Sequence, residues 1–275
     1  MRRKRVTVGR KQISYLESEP SAPQSRQRPL RTVVFLHAFP LQATMWDSNL
    51  AAVPDGWRGL APDLRGFGES PLVDGQSHRM NDLAGDVVDL LDQVEVTDAV
   101  FVGCSMGGYV LFELLKDAPG YASGLALVST RPGADSEEGK QNRQKMIEQV
   151  DREGVDAIAT QMVPKLLGTT SQRQRPDLSK HVRSLIVANS PDGVKAAINA
   201  MMERRDWTSL LADIKIPTLI VAGAEDTLIP PAEAEKMDRA IPASQCEVMP
   251  FAGHLPNLEQ SAAFDGLLSR FLEKL

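Results

Sequence analysis

The stretch "VFVGCSMGGYVLFELL" (residues 100–115) changes character in its middle. It opens as a short apolar run rich in β-formers and closes, from Tyr109 on, with apolar residues at helical spacing. Between the two parts lie Gly103, Cys104, Ser105, Met106, Gly107 and Gly108. A buried strand therefore turns abruptly into a helix at a serine. In open α/β sheets, ligands bind outside the C-terminal ends of the strands, and this pattern puts Ser105 there. So tight a turn strains the serine backbone and projects its Oγ outward. The chain passes close by two residues before and two residues after the serine. Only a small residue fits at either place, and Gly103 and Gly107 occupy both. Gly108 lets the helix pack against the sheet. By composition alone the pattern G-x-S-x-G arises by chance in on the order of one chain in ten, so its setting between strand and helix carries the weight.

Around this stretch, strands alternate with helices. "RVTV" and "QISYLE" read as an opening pair of strands, and "EPSAPQSRQRPLR" as a polar loop. "TVVFLHAF", "WRGLAPD", "DAVFVG" and "GLALVST" follow as strands. "MWDSNLAAV" and "SHRMNDLAGDVVDLLDQVEV" are helical by spacing. From about Arg131 to Arg205 the strands stop and only helical patterns occur. Strand "PTLIVAG", helix "PAEAEKMDRAI", strand "SQCEVMPF" and helix "SAAFDGLLSRFLEKL" then resume the rhythm. The expectation is a mostly parallel α/β sheet with helices on both faces. Its core is formed by residues 1–130 and 206–275, with residues 131–205 inserted as a helical cap over the C-terminal edge.

The chain has 275 residues, 42% hydrophobic and 24% charged, an ordinary globular composition with a net charge of −5. An acidic balance argues against nucleic acid as a partner. The basic start "MRRKR" is not followed by an apolar segment, and no run approaches the ~20 apolar residues of a membrane span. The default expectation is a cytoplasmic protein with a solvated basic terminus. The two cysteines, Cys104 and Cys246, lie in apolar strand-like runs and read as reduced, buried side chains.

A serine needs a base to take its proton and a third group to orient that base. Of the four histidines, His254 in "FAGHLPNLE" follows a strand and lies at the functional edge of the sheet. His37 also follows a strand but precedes the serine. His78 and His181 have no motif around them. Glu225 and Asp226 end the strand "TLIVAG", and Asp226 completes the chain order Ser105, Asp226, His254. Asp135 is a less favoured acid. Acyl transfer also needs N–H groups aimed at a developing oxyanion. The N–H of Met106, at a helix N-terminus, is one. The loop after "VVFLHAFP" supplies the other. Pro40 has no N–H, which leaves Ala38 and Phe39, with Phe39 preferred by motif position.

Taken together, "HAFP", "APDLRGFGESP", "VGCSMGGY", "VAGAEDTLIPP" and "FAGHLPNLE" resemble the α/β-hydrolase superfamily over the whole chain except the cap. The nearest likeness is to its capped carboxylesterase and lactonase branch, which includes 3-oxoadipate enol-lactonase-like proteins. The resemblance implies an α/β-hydrolase fold with an eight-stranded sheet and a Ser105–His254–Asp226 triad. It also implies Phe39 and Met106 as oxyanion donors, Gly103, Gly107 and His37 as structural residues of the site, and no cofactor or metal. The implied partner is a small ester or lactone. Ala38 stands where "HGFP" is common in the family. Asp63 and Arg65 match a turn motif that holds the loop near the site, and Glu259 matches a helix-start position. A serine rather than an aspartate at the elbow favours acyl chemistry over dehalogenase or epoxide chemistry. The same fold also hosts C–C hydrolases, hydroxynitrile lyases, perhydrolases and receptors that keep the triad. In the cap, Met146, Ile147, Met162, Val163, Leu166, Leu167, Leu185, Ile186, Met201 and Met202 read mainly as cap core, with some facing the cleft. Lys145, Lys165 and Arg183 are candidates for a substrate carboxylate, a solvated face being the plainer reading. The oligomeric state is not legible.

Overall fold

The computed structural model describes residues 1–18, 31–76 and 78–275; the loop read at 19–31 lies outside them except for Arg31, which opens a strand. The eight strands are β1 (Arg2–Val8), β2 (Lys11–Glu17), β3 (Arg31–Leu36), β4 (Trp57–Pro62), β5 (Ala99–Cys104), β6 (Ala122–Val128), β7 (Thr218–Gly223) and β8 (Ser244–Met249). They form one sheet in the order β1-β2-β4-β3-β5-β6-β7-β8. β1 pairs antiparallel with β2, and β2 with β4, while all later pairings are parallel. The helices of the core are α1 (Asp47–Ala51), α2 (Met80–Gln93) and α3 (Met106–Asp117).

Every residue of β5 and of β7 is buried, as expected for parallel strands covered on both faces. Alternation along β3 shows how the faces are divided. Phe35 stacks on Trp46, which in turn meets Phe264. The next residue, Leu36, points the other way, against Gly107 of α3. The order of strands reverses between β3 and β5: β3 continues to β4 on one side and to β5 on the other. A crevice opens at the C-terminal ends of strands at such a switch point. Both the loop beginning at His37 and Ser105 emerge there.

Between β6 and β7 lie five helices: α4 (Glu137–Glu153), α5 (Val155–Leu166), α6 (Thr169–Gln174), α7 (Pro176–Val187) and α8 (Pro191–Met202). α4 and α8 begin at Ser136 and Ser190, whose side chains accept the N–H of Gly139 and Gly193. Ile158, Ala159, Val182, Ile186, Ala197 and Ile198 of these helices are fully buried. The chain ends with α9 (Pro231–Ala240), α10 (Pro256–Glu259) and α11 (Ser261–Leu272). Spacing does not indicate α6 or α10, both short helices without an apolar repeat.

The basic start is largely solvent-exposed, but it is ordered as the edge strand β1, where Arg3 pairs with Asp63, Lys4 with Glu17 and Arg5 with Glu69. An edge strand carrying charge in this way resists pairing with another sheet.

Candidate active site

Ser105 follows β5 directly and caps the N-terminus of α3, with φ +52° and ψ −110°. A non-glycine residue held there costs on the order of 1–3 kcal/mol, and the surroundings enforce it. Its N–H donates to the Val128 carbonyl at 2.9 Å, and its carbonyl accepts the Gly108 N–H at 2.9 Å. The Thr130 hydroxyl donates to the same carbonyl at 2.8 Å. A Cβ on Gly107 would lie 2.3 Å from the Leu36 carbonyl oxygen, and one on Gly103 would lie 2.8 Å from the Gly107 backbone. One on Gly108 would lie 2.3 Å from the Thr130 hydroxyl. The three glycines thus mark where α3 presses on β3, on its own strand and on the end of β6.

Asp226 lies three residues beyond β7. Its Oδ1 accepts the N–H groups of Leu228 at 2.9 Å and Ile229 at 3.0 Å. These two bonds aim its Oδ2 at His254 Nδ1, 2.8 Å away. The loop carrying His254 crosses directly over β7: a Cβ on Gly223 would lie 1.9 Å from the Gly253 carbonyl. With Nδ1–H donating to Asp226, Nε2 is the ring nitrogen left to accept a proton. His254 and Ser105 line the same cavity. The three residues named from sequence therefore surround one site, though they lie up to 149 positions apart.

His37 is fully buried. Its Nε2 accepts the Leu64 N–H at 3.0 Å, so Nδ1 carries the proton and faces the Ala38 carbonyl at 3.1 Å. Burial lowers its pKa to about 4, against weaker opposing effects of that carbonyl and of Asp63. It is a neutral spacer that ties the loop after β3 to the loop after β4. The Ala38 N–H is directed at Met45 Sδ, 3.3 Å away. Phe39 lines the cavity with Ser105. Met106 opens α3, so its N–H has no partner within the helix.

Asp63 and Arg65 hold the loop after β4. Asp63 accepts the N–H groups of Ala43 at 2.9 Å and Glu69 at 3.1 Å. Arg65 forms a two-pronged pair with Asp86, at 2.7 and 2.5 Å.

The cavity holds about 270 Å³. Its floor is Ser105, His254, Phe39 and Tyr109, and α4, α5 and α8 contribute Met146, Met162, Lys165 and Met201. Of the ten apolar insertion residues singled out in the sequence, these three methionines reach the cavity. Lys165 is the candidate cation that lines it. Arg183 instead bonds Asp156 and Thr160, joining α7 to α5, and Lys145 is exposed away from the cavity. Arg131 and Arg143, which no motif singled out, also line the cavity. Both pair with Asp135, as does the buried Arg204 at 2.9 Å. Burial alone would raise the Asp135 pKa, but Arg143 and Arg204 outweigh it and hold the carboxyl below its ordinary value. Asp135 thus serves three guanidiniums rather than an imidazole.

Three further carboxylate and amide side chains join insertion to core. Asn189 donates to the Pro40 carbonyl and accepts the Gly68 N–H, both at 2.9 Å. Glu225 accepts from Thr169 and Thr170. Glu259, at the end of α10, accepts the N–H groups of Gly168, Gly253 and Leu255. Burial raises its pKa despite the Ser171 hydroxyl and these N–H donors. It is an anchor between loops rather than a helix-start residue. Cys104 is buried and Cys246 half-buried, and both are free. His181 is exposed, whereas His78, just before α2, has its pKa lowered to about 4 by burial and by Arg65. Among the described residues no helix is long and apolar enough to cross a membrane.

Residues 31–261 match the family described as alpha/beta hydrolase fold. A thermophilic esterase from Thermogutta terrifontis, solved with malate bound, superposes with a TM-score of 0.91 at 35% identity, covering 100% of this chain and 99% of that one. The 3-oxoadipate enol-lactonase 1 of Acinetobacter baylyi is 27% identical over 88% of this chain and 89% of its own length. A putative 2-succinyl-6-hydroxy-2,4-cyclohexadiene-1-carboxylate synthase of Bacillus subtilis is 26% identical over 88% of this chain and 90% of its own. With the eight-stranded sheet and the strained serine at the end of β5, these matches establish that the chain belongs to the α/β-hydrolase family.

Proposed function

We propose that this protein is a serine hydrolase of carboxylic esters or lactones, with Ser105, His254 and Asp226 as its catalytic residues. The observation that carries the reading is the 2.8 Å contact between Asp226 and His254 Nδ1, which leaves Nε2 to a cavity shared with the strained Ser105. In this mechanism Ser105 Oγ attacks the substrate carbonyl carbon while His254 Nε2 takes its proton, and Asp226 stabilises the imidazolium. The N–H groups of Met106 and Phe39 receive the oxyanion. Collapse breaks the bond to the alcohol oxygen, which leaves with the proton from His254. Water then gives a proton to His254 and attacks the acyl carbon, the bond to Ser105 Oγ breaks, and His254 returns the proton to Oγ as the acid is released. The five-helix insertion acts as the cap of this site.

The walls favour one class of substrate. Three cations, Arg131, Arg143 and Lys165, face the cavity against one carboxylate, Asp135. The methionines beside them supply an apolar, adaptable surface. We read this as selection for an ester or lactone that also carries a carboxylate, joined by a short apolar segment. The test is hydrolysis of p-nitrophenyl esters from short to medium chain, then of lactones, with Ser105→Ala as control. Turnover that the variant loses supports the reading. A folded protein inactive on every ester and lactone refutes it.

A further inference from the structure

Glu225 adjoins Asp226 and Glu259 follows His254 by five residues, yet both carboxylates turn away from the cavity and grip the same piece of the insertion, the turn from Leu166 to Thr170. Glu259 Oε2 accepts the Gly168 N–H at 2.7 Å, and its Oε1 accepts the N–H groups of Gly253 at 2.8 Å and Leu255 at 3.2 Å. The N–H of His254 itself donates to the Leu166 carbonyl at 3.2 Å. Three consecutive amides around the imidazole are thus tied down, two by Glu259 and one by the insertion. Glu225 Oε2 accepts the Thr170 N–H at 2.8 Å and the Thr169 hydroxyl at 3.0 Å, and its Oε1 accepts the Thr170 hydroxyl. No side chain separates the two chains here. A Cβ on Gly253 would lie 2.3 Å from the Gly168 nitrogen, and one on Gly168 would lie 2.6 Å from Glu225 Oε2.

We infer that Glu259 and Glu225 are positioning residues that make the turn from Leu166 to Thr170 part of the mounting of His254 and Asp226. The aim of the imidazole at Ser105 then depends on the insertion being docked at this end. The inference rests on the proposed hydrolase reading for its effect on turnover, but not for the effect on His254.

The two sites differ in chemistry, and the difference supplies the test. The backbone partners of Glu259 are all N–H groups, which can only donate. Glutamine there sets its NH₂ against at least one of them in either orientation. Thr169 and Thr170 contribute hydroxyls, which can donate or accept, so glutamine at Glu225 can turn its NH₂ to the Thr170 hydroxyl. Glu259→Gln should lower kcat about 10- to 100-fold, as a misaimed catalytic group does, with KM for the same ester within twofold. Glu225→Ala should lower kcat several-fold, and Glu225→Gln should recover most of that loss. Proton NMR of the His254 Nδ1–H reads the same point without turnover. Its far-downfield signal should persist in wild type and Ser105→Ala, and weaken or vanish in Glu259→Gln. A Glu259→Gln protein that keeps kcat and this signal and merely melts earlier would overturn the inference. So would a Glu225→Gln protein as impaired as Glu225→Ala. Where Glu259→Gln does not fold, Thr170→Val removes one donor to Glu225 and should lower kcat a few-fold at constant KM; unchanged kcat there also overturns it. A wild type with no turnover but an intact His254 signal lost in Glu259→Gln would refute the hydrolase reading and leave the clamp standing.

Discussion

Ser105, Asp226 and His254 stand on loops that follow β5, β7 and β8, and backbone contacts leave them little freedom. Met146, Met162, Lys165 and Met201 face them from the insertion as long unbranched side chains. The floor is set by glycines pressed against carbonyls, a serine at positive φ and a carboxylate fixed by two amides. The wall is set by rotamers and by an ion network around Asp135. A floor of that kind tolerates almost no change in shape, whereas a methionine-lined wall repacks readily. The difference teaches that the two sides of the cavity are held differently, the floor through the backbone and the wall through adjustable side chains.

The contrast can be broken from either side. The largest effect is expected at the floor. Asp226→Asn, isosteric but unable to hold the same His254 tautomer, should lower kcat on the order of 10⁴-fold with the fold intact, as read by steady-state kinetics and circular dichroism. Gly107→Ala adds one methyl group 2.3 Å from the Leu36 carbonyl. It should cost about 3 kcal/mol in urea unfolding, the upper range for overpacking. In the wall, Asp135→Asn leaves the buried Arg204 and its neighbours without their shared carboxylate, and should cost about 3 kcal/mol at pH 7. The sign with pH follows from the direction of the shift. The folded Asp135 carboxyl titrates below its unfolded value, so its contribution is complete above the unfolded pKa and fades as pH falls through the folded one. The stability gap between wild type and Asp135→Asn should therefore close in acid, and a gap constant down to pH 2 would contradict the network.

Smaller effects sharpen the comparison. Lys165→Gln should lower kcat/KM about tenfold for an ester bearing a carboxylate, roughly the value of one charge-assisted contact, and leave a neutral ester of equal length unchanged. Equal losses on both would remove the argument for an anionic substrate. Met201→Leu conserves volume and should alter kcat/KM by no more than about threefold, well within the range for such swaps. Its effect should appear as a shift in preferred acyl chain length.

Much of the floor was legible because its signals are local. A glycine two residues either side of a serine, at a strand-to-helix change, can be read from composition and spacing alone. Asp226 was legible because it follows the fully buried strand β7, and His254 because it follows the strand-like run of β8, an edge strand; strand ends converge on one edge of a parallel sheet. The walls were not legible in this way. Arg131, Arg143 and Asp135 carry no motif, and charged residues on helical segments look alike whether they face solvent or a cavity. Lys165 and Arg183 show this directly: both were equal candidates, yet one lines the cavity and the other bridges α7 to α5. The ion pairs of the basic start were illegible for a related reason, since its partners Glu17, Asp63 and Glu69 come from other strands and loops.

By itself the sequence determined the order of the strands and of the longer helices, the elbow at Ser105 and the three candidate catalytic positions, because hydrophobic period and glycine placement act over a few residues. Only the tertiary structure decided which cations reach the cavity, that Glu259 and Glu225 hold the insertion to the His254 and Asp226 loops, and that His37 is a neutral buried spacer. Those outcomes depend on which groups meet across distances of tens to more than a hundred residues, and on burial, which no local pattern encodes.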